Sequence, residues 1–462
     1  MNHPALTPAF CAANGIIITR RDEKTIHFGL LDISNSVLQQ RIKKAYPEFQ
    51  CAFIELEAEL FNLKLSQLFS EDDSQISGDD SMGENRKSII DKIADDAPVV
   101  NLLNSVFLEA ISKRASDIHI ESGPCQSVIR FRVDGLLTTV KIISQERSIA
   151  VSARLKILAN LNVLENRRPQ DGHIDVKTAA FSLDVRVSIV PTIWGESVVL
   201  RLLNRSDSPL CLDSLGFSVS NAEHLRNLTN VKSGLILVSV PTGSGKTTTL
   251  TAILKELNTG HTKIISIEDP VEYRTEGITQ IQVHEEISLT FDAILRRIFR
   301  QDPDIIMVGE IRDIETAELA VRAALTGHLV LATLHTNNAI EAIYRLQNLG
   351  IPAYMVAAVL KLVIAQRLVR KVCPECKTCG CGNCSHTGYF GRTVAAECIP
   401  VELELSDMIA GGCTIEQLRL YLRKTNFRDI FDDAEGKAAA GITTDAEIRR
   451  ELGKKVPIGT SL

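Results

Sequence analysis

Four short apolar runs organise the second half of the chain: "GLILVSV", "KIISIED", "DIIMVGE" and "HLVLATLHT". Each is continuously apolar rather than alternating, and each ends in polar residues. Helical stretches separate them. This order predicts buried, mostly parallel strands joined by crossover helices, with ligands at the strands' C-terminal ends. The pattern begins near Asn221 and assigns residues 221–462 to an α/β domain. An earlier region reads differently. From about Lys87, "IIDKIADDAPVVNLLNSVFLEAISKRA" carries helical spacing, and the strand-like runs "SVIRFRVDG" and "FSLDVRVSIV" flank a helix-like segment. Residues 87–204 are thus expected to form a compact α+β domain, with a connector at 205–220. "SEDDSQISGDDSMGEN" is acidic, rich in Ser and Gly, and nearly free of bulky apolar residues, which predicts a flexible linker over 70–86. Residues 1–69 mix short apolar runs with charge and suit a small module. No internal repeat occurs at a fixed period.

Composition refines this only slightly. At 462 residues the length suggests about three domains. The chain is 45% hydrophobic and 23% charged with a formal net charge of −6, which argues against a general nucleic-acid binder. The two most apolar stretches, "LVLATLHT" and "YMVAAVLKLVIAQRLVRK", are interrupted by His, Lys, Gln and Arg, so no membrane span is expected. The N-terminal "MNHPALTPAFCAANG" lacks the basic start and apolar core of a secretory signal. Of eleven cysteines, five crowd between Cys373 and Cys384. That bias favours a metal site in a reducing compartment over a disulfide framework.

The chemistry concentrates at the strand ends. "LILVSVPTGSGKTTTL" reads as a strand entering a phosphate loop and then a helix. Pro241, Thr242, Gly243, Ser244, Gly245, Lys246, Thr247 and Thr248 form the candidate cradle. Two closely spaced glycines let the backbone N–H groups approach an anion, Lys246 supplies charge for the outer phosphates, and Thr247 offers a hydroxyl to Mg²⁺. Val240 stands where the strict G-x-x-x-x-G-K-[ST] pattern has its first glycine. That position lies at the strand end rather than among the inner amides, so the cradle is expected to survive. The plain alternative is a Gly-Ser turn ahead of a helix. The next strands end on Glu268 and Asp269, with Glu272 beyond, and on Glu310; His328 and His335 bracket the last. A carboxylate there can hold Mg²⁺ through water or polarise an attacking water. Taken singly, such a Glu is an ordinary solvated loop residue; His328 reads equally as a helix C-terminal charge and His335 as a strand cap. The histidines are expected near phosphate or at a subunit boundary.

The segments "VPTGSGKTTTL", "IEDPVEY", "RQDPDIIMVGEIRD" and "TGHLVLATLHTN" resemble, in order and spacing, the Walker A, aspartate, Walker B and histidine boxes of the type II secretion and type IV pilus assembly ATPase family. The likeness extends through "RASDIHIE", "IRFRVDG", "RRPQDGHI", "DVRVS", "GESVVLRLL", "AQRLVRKVCPEC" and "TGYFGRT", covering roughly residues 98–450. It implies a RecA-like P-loop ATPase core preceded by a PAS-like domain. It also implies a cytoplasmic homohexamer, peripheral to the inner membrane and docked on a membrane platform protein. ATP turnover there moves pilin or pseudopilin subunits. In this family the N-terminal region adapts the motor to a membrane partner, and here it is short. The resemblance favours Glu268 for polarising water and Glu310 for the Mg²⁺ environment, with the two roles exchangeable. It places Arg186 and Arg201 at the nucleotide through movement of the preceding domain, with Arg300 and Arg312 as secondary candidates. The bland reading of Arg186 and Arg201 is ion pairing with Asp184 or Glu196.

"CPECKTCGCGNC" supplies two C-x-x-C pairs, enough for a structural Zn²⁺ held by four thiolates. The family has a similar element whose second pair precedes a "TGYxGR" segment. That likeness selects Cys373, Cys376, Cys381 and Cys384, although Cys379 is a possible replacement for a neighbour. The remaining cysteines suit ordinary apolar positions. Competing functions are a pilus retraction motor, whose members generally lack the cysteine element, a RecA-like nucleic-acid translocase, and a nucleotide-gated scaffold.

Overall fold

The computed structural model describes residues 11, 14–22, 25–33, 35–46, 49–56, 60–61, 64, 97–177, 182–204, 211–241, 243–425 and 427–453. The linker at 70–86, the first part of the connector (205–210) and Thr242 lie outside the described residues. The chain divides into two compact units, Met1–Ser206 and Asp207–Leu462.

Among its described residues the first unit holds two sheets. Strands β1 (Ile16–Arg21) and β2 (Thr25–Leu30) are antiparallel, and helix α1 (Ser36–Ala45) carries the chain to β3 (Gln50–Glu55), parallel to β2. Asn35 caps α1, its side-chain oxygen accepting from the Leu38 N–H at 3.0 Å. Ile16, Ile26, Phe28, Leu38 and Ile42 close a small core.

The larger sheet follows helix α2 (Ala97–Ser112). Its strands are β4 (Ala115–Ser122), β5 (Gln126–Val133), β6 (Leu136–Ser144), β7 (Gln170–Lys177), β8 (Ser182–Thr192) and β9 (Gly195–Asn204), ordered β6-β5-β4-β9-β8-β7 and antiparallel throughout. Helix α3 (Gln145–Leu158) lies between β6 and β7 in sequence. Strand alternation sorts the residues cleanly. Ile118, Ile120, Phe131, Val185, Val187 and Leu200 point into a core shared with α2 and α3. The intervening positions, among them Asp117, His119, Arg130, Arg132, Arg186 and Arg201, give the opposite face a charged surface.

The second unit begins with α4 (Leu212–Leu215) and α5 (Val219–Arg226). Its seven-stranded sheet has the order β12-β11-β13-β14-β10-β15-β16. Strands β10 (Gly234–Ser239), β11 (Ile264–Glu268), β13 (Ile305–Val308) and β14 (Leu329–Leu334) are the four apolar runs, and every residue in them is buried. Pairing is parallel from β12 (Ile278–Gln282) through β15 (Leu360–Val372); β16 (Tyr389–Pro400) closes the far edge antiparallel. Helix α6 (Lys246–Leu257) covers one face together with α4 and α5. The other face carries α7 (Phe291–Ile298), α8 (Ile314–Leu325), α9 (Ala339–Asn348), α10 (Ala353–Val359), α11 (Leu403–Ala410) and α12 (Ile415–Lys424). Helix α7 shows why it docks there: Phe291, Ile294, Leu295 and Ile298 fall at helical spacing and all are buried. Each such side chain contributes roughly 1.5–3 kcal/mol by leaving water. Helices α13 (Ile430–Ala439) and α14 (Asp445–Leu452) pack near β15 and β16. The segment "YMVAAVLKLVIAQRLVRK" resolves into α10 and β15, so its apolar character serves a sheet interior. Among the described residues, no helix is long and apolar enough to cross a membrane.

Candidate nucleotide site and cysteine centre

Strand β10 ends at Ser239, and the turn at Gly243–Gly245 leads into α6. Gly243 and Gly245 have φ of 81° and 80°, and Gly245 is the N-cap of α6. Residues with a Cβ rarely hold this left-handed geometry, so both glycines are required by the turn itself. The N-terminus of α6 thus opens toward the strand ends with Lys246, Thr247 and Thr248 in its first turn. Val240 is completely buried in the core around α6. Its N–H donates to the Leu334 carbonyl at 3.2 Å, and its own carbonyl lies 3.1 Å from His335 Nδ1. The valine therefore extends the strand and packs inward, away from the loop glycines.

Glu310, just past β13, is buried. Its Oε1 lies 2.5 Å from Arg312 Nη2, and its Oε2 lies 3.1 Å from His335 Nε2. Burial alone opposes ionisation of Glu310. The Arg312 hydrogen bond, the nearby charges of Lys246 and Arg312, and the His335 contact outweigh it and hold the carboxyl below the usual carboxylate range. Lys246, Glu310 and His335 therefore converge at one end of the sheet. Arg312 also reaches Asp269 at 3.5 Å and Glu285 at 3.9 Å, tying the acidic end of β11 to the end of β13.

Glu268 ends β11 and is likewise buried. Its Oε1 accepts from the Ser266 hydroxyl at 2.6 Å and from Gln280 Nε2 at 2.9 Å. Gln280 is held in turn by the Tyr273 carbonyl and the Thr275 N–H. Neither Ser266 nor Gln280 was expected from sequence, because an isolated polar residue on a short strand carries no signal. Gln366 also escapes a sequence reading of the site, although it belongs to "AQRLVRK". Fully buried on β15, it donates from Nε2 to the Ser244 carbonyl at 2.8 Å, and its Oε1 accepts from the Thr249 hydroxyl at 3.0 Å.

His328 separates from this group. It precedes β14, and the parallel register places Leu329 beside Gly234 and Leu334 beside Ser239. A strand advances about 3.3 Å per residue. His328 therefore lies at the opposite end of the central strands from the phosphate loop. There it packs near the Phe299 ring, its Nδ1 lies 3.0 Å from the Ala323 carbonyl, and it borders a cavity of about 280 Å³ with Lys232, Thr259, Asp304 and Thr326. Of the two places expected for His328, near phosphate or at a subunit boundary, the first is separated from it within the chain by the length of β14.

Arg186 and Arg201 sit on the charged face of the first unit's larger sheet, directly across from one another on β8 and β9. Arg201 Nε donates to Asp117 Oδ1 at 3.1 Å. Asp184 contacts His173, and Glu196 pairs with the buried Lys156 at 2.6 Å. The partner of Arg201 is therefore Asp117 rather than Glu196.

The cysteine centre interrupts the β15–β16 hairpin. The Sγ atoms of Cys373, Cys376, Cys381 and Cys384 all lie within 4.8 Å of one another. Three contacts are shorter: 3.8 Å for Cys373–Cys381 and 3.7 Å for both Cys376–Cys384 and Cys381–Cys384. Four thiolates at about 2.3 Å from Zn²⁺ in a tetrahedron are separated by about 3.8 Å, so the set fits this ion. Backbone N–H groups of Gly380, Cys381 and Gly388 donate to Cys376 or Cys384 at 3.2–3.3 Å, which favours thiolate over thiol. Cys379 is exposed and stands outside this four-sulfur group. The chain's own donors leave no open position, so a bound zinc would be structural.

The family model described as "Type II/IV secretion system protein" matches residues 92–450. The "Type II secretion system ATPase E" of Vibrio cholerae is 41% identical over 435 residues, covering 86% of this chain and 86% of the relative. The "Type IV pilus assembly ATPase PilB" of Myxococcus xanthus is 42% identical over 386 residues, covering 77% of this chain and 68% of the relative. The crystal structure of the pilus retraction motor PilT with bound ADP superimposes with a TM-score of 0.56 at 27% identity, covering 76% of this chain and 96% of that one.

Proposed function

The chain belongs to the type II/IV secretion system protein family, an ATPase family with a RecA-like core, and on that premise we propose that it is the motor for assembly of a type IV pilus or a type II secretion pseudopilus. The convergence of Lys246, Glu310 and His335 at the mouth of the phosphate loop carries this reading. On it, the loop amides and Lys246 hold the phosphates of ATP, Thr247 ligates Mg²⁺, and Glu310 serves the Mg²⁺ environment. Glu268, oriented by Ser266 and Gln280, polarises the attacking water. Little covalent chemistry is asked of the protein; positioning and charge do the work.

The positive charge that completes this site comes from the preceding domain. Arg201 and Arg186 lie side by side on β9 and β8, and the family resemblance assigns both to the nucleotide through movement of that domain. Binding, closure and release then form a cycle that a homohexamer shares around its ring. We place the ring in the cytoplasm, against an inner-membrane platform protein and a membrane-anchoring adaptor, where it moves pilin or pseudopilin. The zinc centre braces the β15–β16 hairpin.

Steady-state ATPase and nucleotide-binding measurements across a protein-concentration series test this reading. Lys246→Ala should reduce turnover to background. Glu268→Gln and Glu310→Gln should bind ATP without hydrolysing it. Arg186→Ala and Arg201→Ala should bind ATP and lose most turnover, since such an arginine supplies about 10³–10⁵ in rate. Specific activity should rise as rings assemble. Full activity in both carboxylate variants defeats the site, and full activity of both arginine variants in a monomeric preparation defeats the ring mechanism.

A further inference from the structure

Two consecutive residues of β15 reach opposite halves of the nucleotide site. Successive strand residues face opposite sides of a sheet. Gln366 faces α6, where both ends of its buried amide are used, one by the Ser244 carbonyl in the phosphate loop and one by the Thr249 hydroxyl. Arg367 faces the α9 side. Its Nη1 donates to the Gln366 carbonyl at 3.0 Å and its Nη2 to the Asn337 carbonyl at 2.9 Å. Asn337 belongs to the segment that joins His335 to α9. On β16, Glu397 pairs in register with Ala365 and takes hold of the same segment. Its Oε1 accepts from the Ala339 N–H at 2.7 Å, and its Oε2 accepts from the Ile430 N–H at 3.1 Å. Glu397 is buried and joins the first turns of α9 and α13.

We propose that Gln366, Arg367 and Glu397 are positioning residues that fix the phosphate loop and the His335 segment relative to each other. The physical case rests on what each bond would cost to lose. The Gln366 amide and the Glu397 carboxylate are buried, so a shift of either loop away from β15 or β16 strands a polar group without water. The two arms share one backbone, because Arg367 binds the carbonyl of Gln366 itself. Displacement of the loop carrying Lys246 is thereby resisted by the segment carrying His335, and the reverse. An error of about 1 Å in such an arrangement can reduce turnover on the order of 10²-fold without abolishing binding. This inference rests on ATP being held by the phosphate loop.

The test is a kinetic comparison of Arg367→Met, Arg367→Lys and Glu397→Gln, each with a binding titration of ADP and a thermal unfolding scan. Arg367→Met should lower kcat by about tenfold or more while ADP affinity changes far less, the signature of an interaction that acts in the transition state. Arg367→Lys keeps the positive charge but has one donor nitrogen in place of the guanidinium fork, and should recover part of the loss. Glu397→Gln presents an NH₂ to one of two N–H donors and should repeat the kcat defect. Unchanged kcat in Arg367→Met and Glu397→Gln, or a kcat loss matched by an equal loss of affinity and melting temperature, overturns the proposal. Lys246→Ala is run alongside: ATP turnover and binding undiminished in that variant would instead remove the nucleotide reading beneath it.

Discussion

Glu310 and His335 meet at 3.1 Å from two adjacent parallel strands, with Nδ1 of the same imidazole 3.1 Å from the Val240 carbonyl at the root of the phosphate loop. One side chain thus spans three strand ends, β10, β13 and β14. This geometry separates the two histidines that bracket β14. His335→Ala should lower ATP turnover on the order of 10²-fold, in the range seen when one group stabilising transition-state charge is removed. His328→Ala, at the other end of β14, should leave ADP affinity unchanged. Parallel titrations and steady-state assays of the two variants check this; full turnover in His335→Ala, or a loss of ADP affinity in His328→Ala, would show that strand position does not separate their roles.

Val240 offers a second contrast. The glycine expected at that position would serve a loop, but the valine serves the core. Val240→Gly should therefore cost roughly 1.5–3 kcal/mol of stability through lost burial, with added backbone freedom in the unfolded chain. Nucleotide affinity should change by less than about tenfold, since the inner amides at Gly243–Lys246 are untouched. Denaturant unfolding with and without ADP separates the two quantities. A large rise in affinity with no loss of stability would mean that the valine obstructs the cradle.

The four buried strands were legible because a short, continuously apolar run bounded by polar residues suits little besides a strand covered on both faces. The phosphate loop was legible for a related reason: its glycines and lysine occupy fixed offsets. β12 and the β15–β16 hairpin were not. β12 alternates weakly, and β15 follows α10 without an intervening turn, so its apolar run merges with that of the helix. Gln280, Gln366 and Glu397 were invisible for another reason. Their importance comes from burial and from partners distant in sequence, and a polar residue in a run of "ITQI" or "AAECIP" shows neither. Asp117 is similar: the pair with Arg201 joins positions 84 residues apart.

The cysteine centre yields a discriminating pair of substitutions. Cys379→Ser should retain about one zinc per chain, because its thiol stands outside the four-sulfur group. Cys381→Ser should lose zinc, because Cys381 Sγ approaches both Cys373 and Cys384. Chelation should lower the melting temperature of the C-terminal half, since a metal held by the four thiolates would contribute to folding there. Elemental analysis under reducing conditions decides the matter. Zinc retained by Cys381→Ser but lost by Cys379→Ser would reassign the ligands, and protein devoid of zinc would remove the site.

Beside that centre, Glu447 provides a pH-dependent brace. It is buried at the start of α14 and accepts from the Arg370 N–H at 3.1 Å, from Arg370 Nη2 at 2.6 Å, and from Arg450 at 2.6 and 2.8 Å. Arg370 also lies over the Tyr389 ring at 4.0 Å, connecting this cluster to the strand that leaves the cysteines. Burial opposes the charge on Glu447, but the Arg450 and Arg370 hydrogen bonds outweigh it and bring its pKa down to about 2 from an ordinary value of 4.5. Folding therefore weakens its hold on a proton. The resulting stabilisation, on the order of 3 kcal/mol, is complete above the ordinary carboxylate range and is lost as pH falls from about 4.5 toward 2. Glu447→Gln should accordingly destabilise the protein at pH 7, with a smaller difference from wild type at pH 3. The comparison requires denaturant unfolding at both values. A difference that is the same at both values would show that the carboxylate's charge does not brace α14 against β15.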